Sequence, residues 1–140
     1  MTDTPGSVLF MCYMNSIRSP MAEGLLKAAH GNSIYVQSCG LAAGELDTIM
    51  VGVMQEKCVD MTAHQSRTLD ELAETNYDIV IAFTKEAGQA AEGFFSGTDT
   101  KIEVWPVPDP TQGVLDVRSM MNNYRAVRDT IAERLQRRFG

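Results

Sequence analysis

The segment that decides the fold lies near the start of the chain, where residues 7–23 read SVLFMCYMNSIRSPMAE. Its first five residues form a short run that is apolar after Ser7, a pattern typical of a strand buried on both faces of a parallel sheet. A polar, turn-like stretch follows, and Ser19-Pro20 opens a helical pattern that ends at Gly31-Asn32, with Ser19 as the candidate N-cap. The segment therefore predicts a strand, a loop and a helix in immediate succession.

Beyond this segment, the same alternation of apolar runs and helical patterns continues along the chain. Further strands are predicted at residues 34–38, 78–83 and 101–105, and helices at 45–57, 69–74, 85–92 and about 114–138. The last helix carries an apolar stripe at helical spacing, formed by Met120, Tyr124, Val127, Ile131 and Leu135. Strands that alternate with helices imply right-handed crossovers. We therefore expect a single three-layer α/β domain over residues 1–140, with a four-stranded parallel sheet flanked by helices on both faces.

The composition and charge of the chain exclude several classes of protein. It has 140 residues, 44% of them apolar, which is enough for a core without disulfides or a structural metal. Its formal net charge of −6 repels nucleic acid and anionic lipid, and no apolar stretch approaches the ~20 residues of a membrane helix. The first residues lack a signal-peptide pattern, and the three cysteines are an odd number. We therefore expect a cytoplasmic protein with free thiols and with neither nucleic-acid nor membrane partners; its oligomeric state stays open.

Two segments with reactive side chains are predicted to reach the edge of the sheet where ligands bind, beyond the carboxyl ends of the strands. The first places a thiol, Cys12, at the end of a buried strand and a guanidinium, Arg18, at the start of a helix. Arg18 offers a planar fork that matches two phosphate oxygens. No proline interrupts the residues between them, so their backbone N–H groups can form a nest for a tetrahedral oxyanion; they are Tyr13, Met14, Asn15, Ser16 and Ile17.

Cys12 is the candidate nucleophile of this loop. A helix N-terminus and a neighbouring arginine favour the thiolate form of a cysteine. A thiolate beneath a bound phosphate can attack phosphorus and form a phosphocysteine. The structural alternative is that Cys12 is a small buried residue that ends a strand, which is the commonest role of a free cysteine.

Asp109 is the candidate general acid and lies in the second segment, between Pro108 and Pro110, after a strand of the same predicted sheet. The prolines stiffen the loop that carries its carboxylate. In that position Asp109 would protonate the leaving oxygen and later take a proton from the attacking water. The alternative is that an Asp between prolines simply forms a turn. His30 and His64 have no cluster of ligand residues around them, so we expect no metal and no cofactor.

Together the two segments resemble the low-molecular-weight protein tyrosine phosphatase family, and the resemblance covers nearly the whole chain. Residues 8–23 are similar to the phosphate-binding loop and first helix of that family. Residues 64–67 resemble its middle segment, and residues 108–110 resemble its acid loop. The family fold, a four-stranded parallel sheet flanked by helices, agrees with the architecture that the strand and helix patterns predict.

The resemblance also implies a role for each site residue. Cys12 is then the nucleophile, Arg18 the phosphate clamp and Asp109 the general acid. Ser19 would donate a hydrogen bond to the thiolate. Asn15 would brace the loop in a strained backbone conformation.

Three positions depart from the family pattern. Met14 stands where the tyrosine phosphatases usually have glycine, so its Cβ restricts the loop if the backbone there needs a positive φ. Ile17 replaces a second cysteine of many members, so we do not expect a disulfide to protect Cys12. Thr111 follows the acid loop where those phosphatases often present an aromatic wall to the substrate. Tyr13 either supplies that wall or packs on the second helix.

These patterns leave three functions open. The leading hypothesis is metal-free hydrolysis of a phosphomonoester through phosphocysteine, with a phosphorylated protein or a small aryl phosphate, phosphotyrosine included, as substrate. The second is arsenate reduction on the same scaffold, which would need an external thiol because residues 83–97 contain no cysteine. The third is a phosphate-binding regulatory module without catalysis, which Met14 and Thr111 motivate.

Overall fold

The structure, a computed structural model, describes residues 4–113 and 116–140. These residues form a four-stranded parallel sheet with the strands β1 (Ser7–Cys12), β2 (Tyr35–Gly40), β3 (Ile79–Ala82) and β4 (Lys101–Val104). The spatial order is β2-β1-β3-β4. The predicted fold class is therefore confirmed, and the expected strands differ from the observed ones only at their ends.

β1 is a central strand of the sheet, because it pairs with β2 on one side and β3 on the other. Its residues from Val8 to Cys12 are all buried. Val8, Phe10 and Cys12 face one hydrophobic cluster, whereas Leu9 and Met11 face another on the opposite side of the sheet. Burial on both faces is the reason for the uninterrupted apolar run, and it fixes Cys12 at the end of the strand between two neighbours.

Four α-helices cover the sheet: α1 (Arg18–His30), α2 (Thr48–Gln55), α3 (Lys85–Phe94) and α4 (Val117–Phe139). Helices α1, α2 and α4 contribute to the cluster that contains Cys12, and α3 packs on the other face, so three layers result. The apolar stripe predicted for the last helix lies in this core, with Met120 partly buried and the other four residues buried. No helix in the described parts of the chain is both long and apolar enough to cross a bilayer.

The prediction that Ser19 caps the first helix is wrong. α1 begins at Arg18, and Ile17 occupies the N-cap position, two residues before Ser19 and without a polar side chain. Ser19 instead lies inside the first turn and is fully buried. Its hydroxyl lies within hydrogen-bond distance of the Cys12 and Asn15 side chains, and of the Cys39 carbonyl at 3.4 Å, rather than capping the backbone N–H groups of its own helix.

The other differences concern helix ends. α2 begins at Thr48 rather than at residue 45, because the Asp47 carboxylate caps it by accepting a hydrogen bond from Met50 N at 2.9 Å. The predicted helix at 69–74 is a single 3-10 turn over Leu69–Glu71. The expected start of the last helix at residues 114 and 115 lies outside the described residues, and Asp116 caps the helix as observed.

Candidate active site

The Cys12 thiol lies at the carboxyl end of β1, against the first turn of α1. Its side chain is buried, with 2% of the residue exposed. The Sγ atom is 2.9 Å from Ser19 Oγ and accepts a longer hydrogen bond from Ser19 N at 3.5 Å. Hydrogen-bond donors at a helix N-terminus stabilise a negative charge. The contact predicted for Ser19 is therefore present, although Ser19 does not cap the helix.

Asn15 holds the loop between Cys12 and Arg18 in a curled conformation. Its backbone φ is 53°, in the left-handed region that asparagine tolerates better than most residues. The fully buried side chain amide donates to Ser19 Oγ and to Ser38 Oγ, both at 2.9 Å. Its Oδ1 accepts from Arg67 N at 3.0 Å. The side chain thus connects the loop with α1, with β2 and with the segment after residue 60.

The backbone carbonyl of Asn15 is also fixed by that segment. His64 Nε2 lies 2.8 Å from this oxygen, and Ser66 Oγ donates to it at 2.6 Å. Ser38 in turn donates to Glu23 on α1. Sequence reasoning identified the 64–67 segment only through the family resemblance, and it missed Ser38 because a serine in a strand carries no local signal of such a role.

Gly40 allows a second chain segment to pack directly on the loop. A Cβ atom at this position would lie 2.7 Å from Tyr13 O, Asn15 N and Ala42 O. Residues 41–44 then run along the loop, with Ala42 N donating to Tyr13 O and Gly44 N to Met14 O, both at 2.9 Å. The loop is therefore sandwiched between this segment and α1. Sequence reasoning did not single out Gly40.

The remaining loop residues lie at the mouth of the site. Tyr13 and Met14 are 52% and 40% exposed, so Tyr13 does not pack into the core. Ser16 is partly buried, and Ile17 packs against the core cluster on the α1 side. Among the described non-glycine residues only Asn15 and Cys58 have a positive φ, so the Cβ of Met14 places no strain on the loop.

Arg18 connects the loop with the segment that follows β4. Its Nη1 donates to the Val107 carbonyl at 2.8 Å, two residues before Asp109. Asp109 Oδ1 accepts from Thr111 N at 2.9 Å and from Thr111 Oγ1 at 2.7 Å. Partial burial raises the pKa of Asp109, but the Thr111 hydrogen bonds and the Arg18 charge outweigh it, so this pKa lies below its ordinary value.

The other two cysteines are placed differently from Cys12. Cys39 lies on β2 but faces the opposite side of the sheet, with Leu9 and Met11. Burial, and to a lesser extent the neighbouring Cys12, raise the pKa of Cys39 to about 12, so it stays a thiol at neutral pH. Cys58 is exposed beyond the end of α2. Within residues 4–113 and 116–140, no three His, Cys, Asp or Glu side chains form a metal-binding group.

Residues 7–139 match the sequence model of the low molecular weight phosphotyrosine protein phosphatases. The chain belongs to this family. The resemblance that its motifs suggested is thereby confirmed over almost the full length, and the fold agrees with solved structures of similar proteins.

Proteins similar to this chain are named for several activities. A glutaredoxin arsenate reductase of Synechocystis sp. is 30% identical over 92% of this chain and 92% of that protein. The Erwinia amylovora tyrosine phosphatase amsI shares the fold at 21% identity, with a TM-score of 0.77 over 99% of this chain and 93% of that one. A mutant YwlE arginine phosphatase with a phosphorylated active site serine is 27% identical, with a TM-score of 0.74 over 93% and 91% of the two chains. Family membership therefore does not identify the substrate, which has to be inferred from the site.

Replacing Gly40 by Ala should displace the loop. The new Cβ would meet three backbone atoms at 2.7 Å, and these atoms cannot retreat without separating the 41–44 segment from the loop. We expect Gly40→Ala to lower the free energy of unfolding by about 1–3 kcal/mol and to weaken the binding of inorganic phosphate. Urea unfolding and isothermal titration calorimetry measure the two effects.

Gly52→Ala is the matched control, because a Cβ at Gly52 inside α2 meets nothing within 4 Å. This substitution should leave phosphate binding unchanged and raise stability by about 0.5–1 kcal/mol. If Gly40→Ala behaved like Gly52→Ala in both measurements, the close packing of Gly40 against the loop would play no part in the site.

Proposed function

We propose that this protein hydrolyses phosphomonoesters through a covalent phosphocysteine formed on Cys12. The observation that carries this proposal is the contact of the buried Cys12 Sγ with Ser19 Oγ at 2.9 Å, at the start of α1. A thiolate accepts that hydrogen bond and gains from the positive end of the helix. The Ser19 hydroxyl can then accept from the Asn15 amide while it donates to sulfur. A buried, hydrogen-bonded sulfur at the base of an anion loop is suited to nucleophilic attack.

The phosphate group would be held by the backbone N–H groups of residues 13–17 and by Arg18. Arg18 uses one nitrogen for the Val107 carbonyl, so other guanidinium donors remain for phosphate oxygens. In this proposal the same side chain therefore contacts the substrate and Val107, two residues before Asp109. We expect this contact to hold the acid loop beside the bound phosphate.

The first chemical step would form a sulfur–phosphorus bond and break the bond between phosphorus and the ester oxygen. Asp109 would donate its proton to that oxygen, which leaves as an alcohol or a phenol. In the second step water attacks phosphorus and gives a proton to the Asp109 carboxylate. The sulfur–phosphorus bond breaks, inorganic phosphate leaves, and Cys12 returns as a thiolate stabilised by Ser19.

The mouth of the site favours aryl phosphates. Tyr13 and Met14 are exposed beside the nucleophile, and their apolar surfaces can contact a phenyl ring. Phosphotyrosine on a protein or a small aryl phosphate is therefore the substrate class we propose. A reducing cytoplasm is the compartment that suits the three free cysteines.

One similar structure supports covalent catalysis by a nucleophilic side chain. The phosphorylated active site serine belongs to a mutant YwlE arginine phosphatase that is 27% identical to this chain. We infer that Cys12 accepts a phosphoryl group in the same manner. Phosphoarginine therefore joins the aryl phosphates on the panel of substrates to be measured.

Arsenate reduction is the second candidate, because an arsenate reductase is 30% identical to the chain. Cys12 would attack arsenic and displace water, and a thiol from solution would then attack the Cys12 sulfur. The electrons of the sulfur–arsenic bond would pass to arsenic, arsenite would leave, and a second thiol would release Cys12 from the mixed disulfide. An external thiol is required because Cys39 faces the other side of the sheet and Cys58 lies beyond α2.

Cys12→Ser should abolish turnover of p-nitrophenyl phosphate while inorganic phosphate still binds. The hydroxyl keeps the size and the contact with Ser19 but is a far weaker nucleophile at neutral pH. Release of p-nitrophenol and calorimetric phosphate titration measure the two properties. Cys58→Ser is the control and should retain full activity, because Cys58 is exposed and outside the site. Turnover by Cys12→Ser at the wild-type rate would refute the nucleophile assignment.

Asp109→Asn should slow hydrolysis of phenyl phosphate, which has a poor leaving group, by roughly 10²–10⁴-fold. Hydrolysis of p-nitrophenyl phosphate should fall much less, because nitrophenolate leaves with little help from an acid. Asp60→Asn changes a carboxylate in a similar turn with Thr62 and should leave both rates unchanged. Equal losses on the two esters would show that Asp109 is not the proton donor.

The wild-type protein should release phosphate from an aryl ester in the absence of added thiol. Arsenite release is measured in parallel, with arsenate and with glutathione as the added thiol. Thiol-dependent arsenite release without phosphatase activity would identify arsenate as the substrate. Phosphate affinity without either reaction would identify a binding module.

A further inference from the structure

The Asp109 carboxylate is held in a tight turn by Thr111, one of the three residues that depart from the family pattern. Thr111 N at 2.9 Å and Thr111 Oγ1 at 2.7 Å both donate to the same oxygen, Oδ1. Two further hydrogen bonds hold the turn in place. Gln112 N donates to Asp109 O at 3.3 Å, and Asn123 Nδ2 on α4 donates to Pro110 O at 3.4 Å. One of the two carboxylate oxygens is therefore occupied before any substrate binds.

A carboxyl group holds its proton less readily on an oxygen that already accepts two hydrogen bonds. We propose that Thr111 is a positioning residue for Asp109: by engaging Oδ1 through its hydroxyl and its N–H, it directs the transferable proton to Oδ2. This inference rests on the proposed function, in which Asp109 is the general acid. Threonine would then contribute through Asp109 rather than through the substrate ring.

The charged and titratable groups around Asp109 come from three other elements. Arg18, at the start of α1, favours the ionised carboxylate. Tyr124 on α4 donates to Asp47 at 2.8 Å, just ahead of α2. Burial and this bond to Asp47 raise the pKa of Tyr124 above its ordinary value, so Tyr124 remains a neutral phenol throughout the working range. Arg18 and the Thr111 hydroxyl are thus two groups that stabilise the charged form of Asp109.

The direction of the pH effect follows from these contacts. A general acid acts in its protonated form, and the basic limb of kcat/KM reports its ionisation in the free enzyme. The Thr111 hydrogen bonds hold the pKa of Asp109 low, so they place the basic limb at a lower pH. Removing the hydroxyl donor destabilises the carboxylate, raises this pKa and moves the basic limb to higher pH.

The chain contains a turn of the same kind away from the site. Asp60 Oδ1 accepts from Thr62 N at 2.9 Å and from Thr62 Oγ1 at 2.6 Å. Its hydrogen bonds match those between Asp109 and Thr111 in donor type and nearly in length. Thr62→Val therefore removes an equivalent bond from a turn that presents no proton to the site, and it is the matched control.

The test compares Thr111→Val, Thr111→Ser and Thr62→Val in pH profiles of kcat/KM for phenyl phosphate. Valine keeps the shape of threonine and the backbone N–H donor but removes the hydroxyl. We expect Thr111→Val to move the basic limb to higher pH and to lower kcat roughly 2- to 10-fold, the range that corresponds to one hydrogen bond. Thr111→Ser should restore the wild-type profile, and Thr62→Val should match it.

A profile of Thr111→Val that superimposes on the wild-type profile would overturn the proposal, as would a Thr111→Ser profile shifted as far as that of valine. Thermal unfolding of each variant excludes a general loss of structure, since Thr111 is exposed and its substitution should leave the midpoint unchanged. Failure of the proposed function is recognised separately, by a wild-type protein that hydrolyses no ester. In that case carbon-13 NMR titration of the Asp109 carboxyl still shows whether Thr111→Val raises its pKa.

Discussion

The site depends on one buried residue, Asn15. Its side chain amide contacts Ser19 on α1, Ser38 on β2 and Arg67 N, and its backbone carbonyl contacts His64 and Ser66. A buried amide without these partners would cost free energy, so these hydrogen bonds stabilise the curled loop. The left-handed backbone at Asn15 persists because three elements hold it. The position of Cys12 relative to α1 is a consequence of this arrangement rather than of the thiol itself.

Local patterns were sufficient to predict the parts of the site that are continuous in sequence. The apolar run of residues 7–11 predicted the buried strand, and the proline-free stretch after it predicted the loop. Ser19 was misassigned because propensity favours a serine at an N-cap, whereas here its hydroxyl is bonded to Cys12 and Asn15. The contacts of Ser38 and Ser66 with Asn15 span 23 and 51 residues and have no local signature. The close packing of Gly40 against the loop also has no local signature, because it depends on the backbone of residues distant in sequence, Tyr13 and Asn15.

The proposed site would suit more than one reaction of a tetrahedral anion. In that proposal the loop and Arg18 recognise the shape and charge of the anion, which phosphate and arsenate share. The fate of the covalent adduct on sulfur then depends on the groups that surround it. In this chain Arg18 contacts Val107, just before the acid loop, while the other two cysteines lie on the far face of the sheet and beyond α2. The proposed proton donor, Asp109, thus follows the Arg18 contact by two residues, whereas neither of the other two cysteines lies beside Cys12 on its face of the sheet.

The proposed nucleophile, Cys12, and the proposed general acid, Asp109, lie at or beyond the ends of strands that differ in local stability. Cys12 ends β1, which pairs with a strand on each side, whereas Asp109 follows β4, one of the two edge strands of the sheet. Local opening at a sheet margin needs far less free energy than opening at its middle. Substitutions around residues 108–112 should therefore disturb the rest of the fold less than substitutions beside the Cys12 sulfur. In the proposed function, the acid loop can therefore vary with the leaving group of the substrate while the loop that binds the anion is kept.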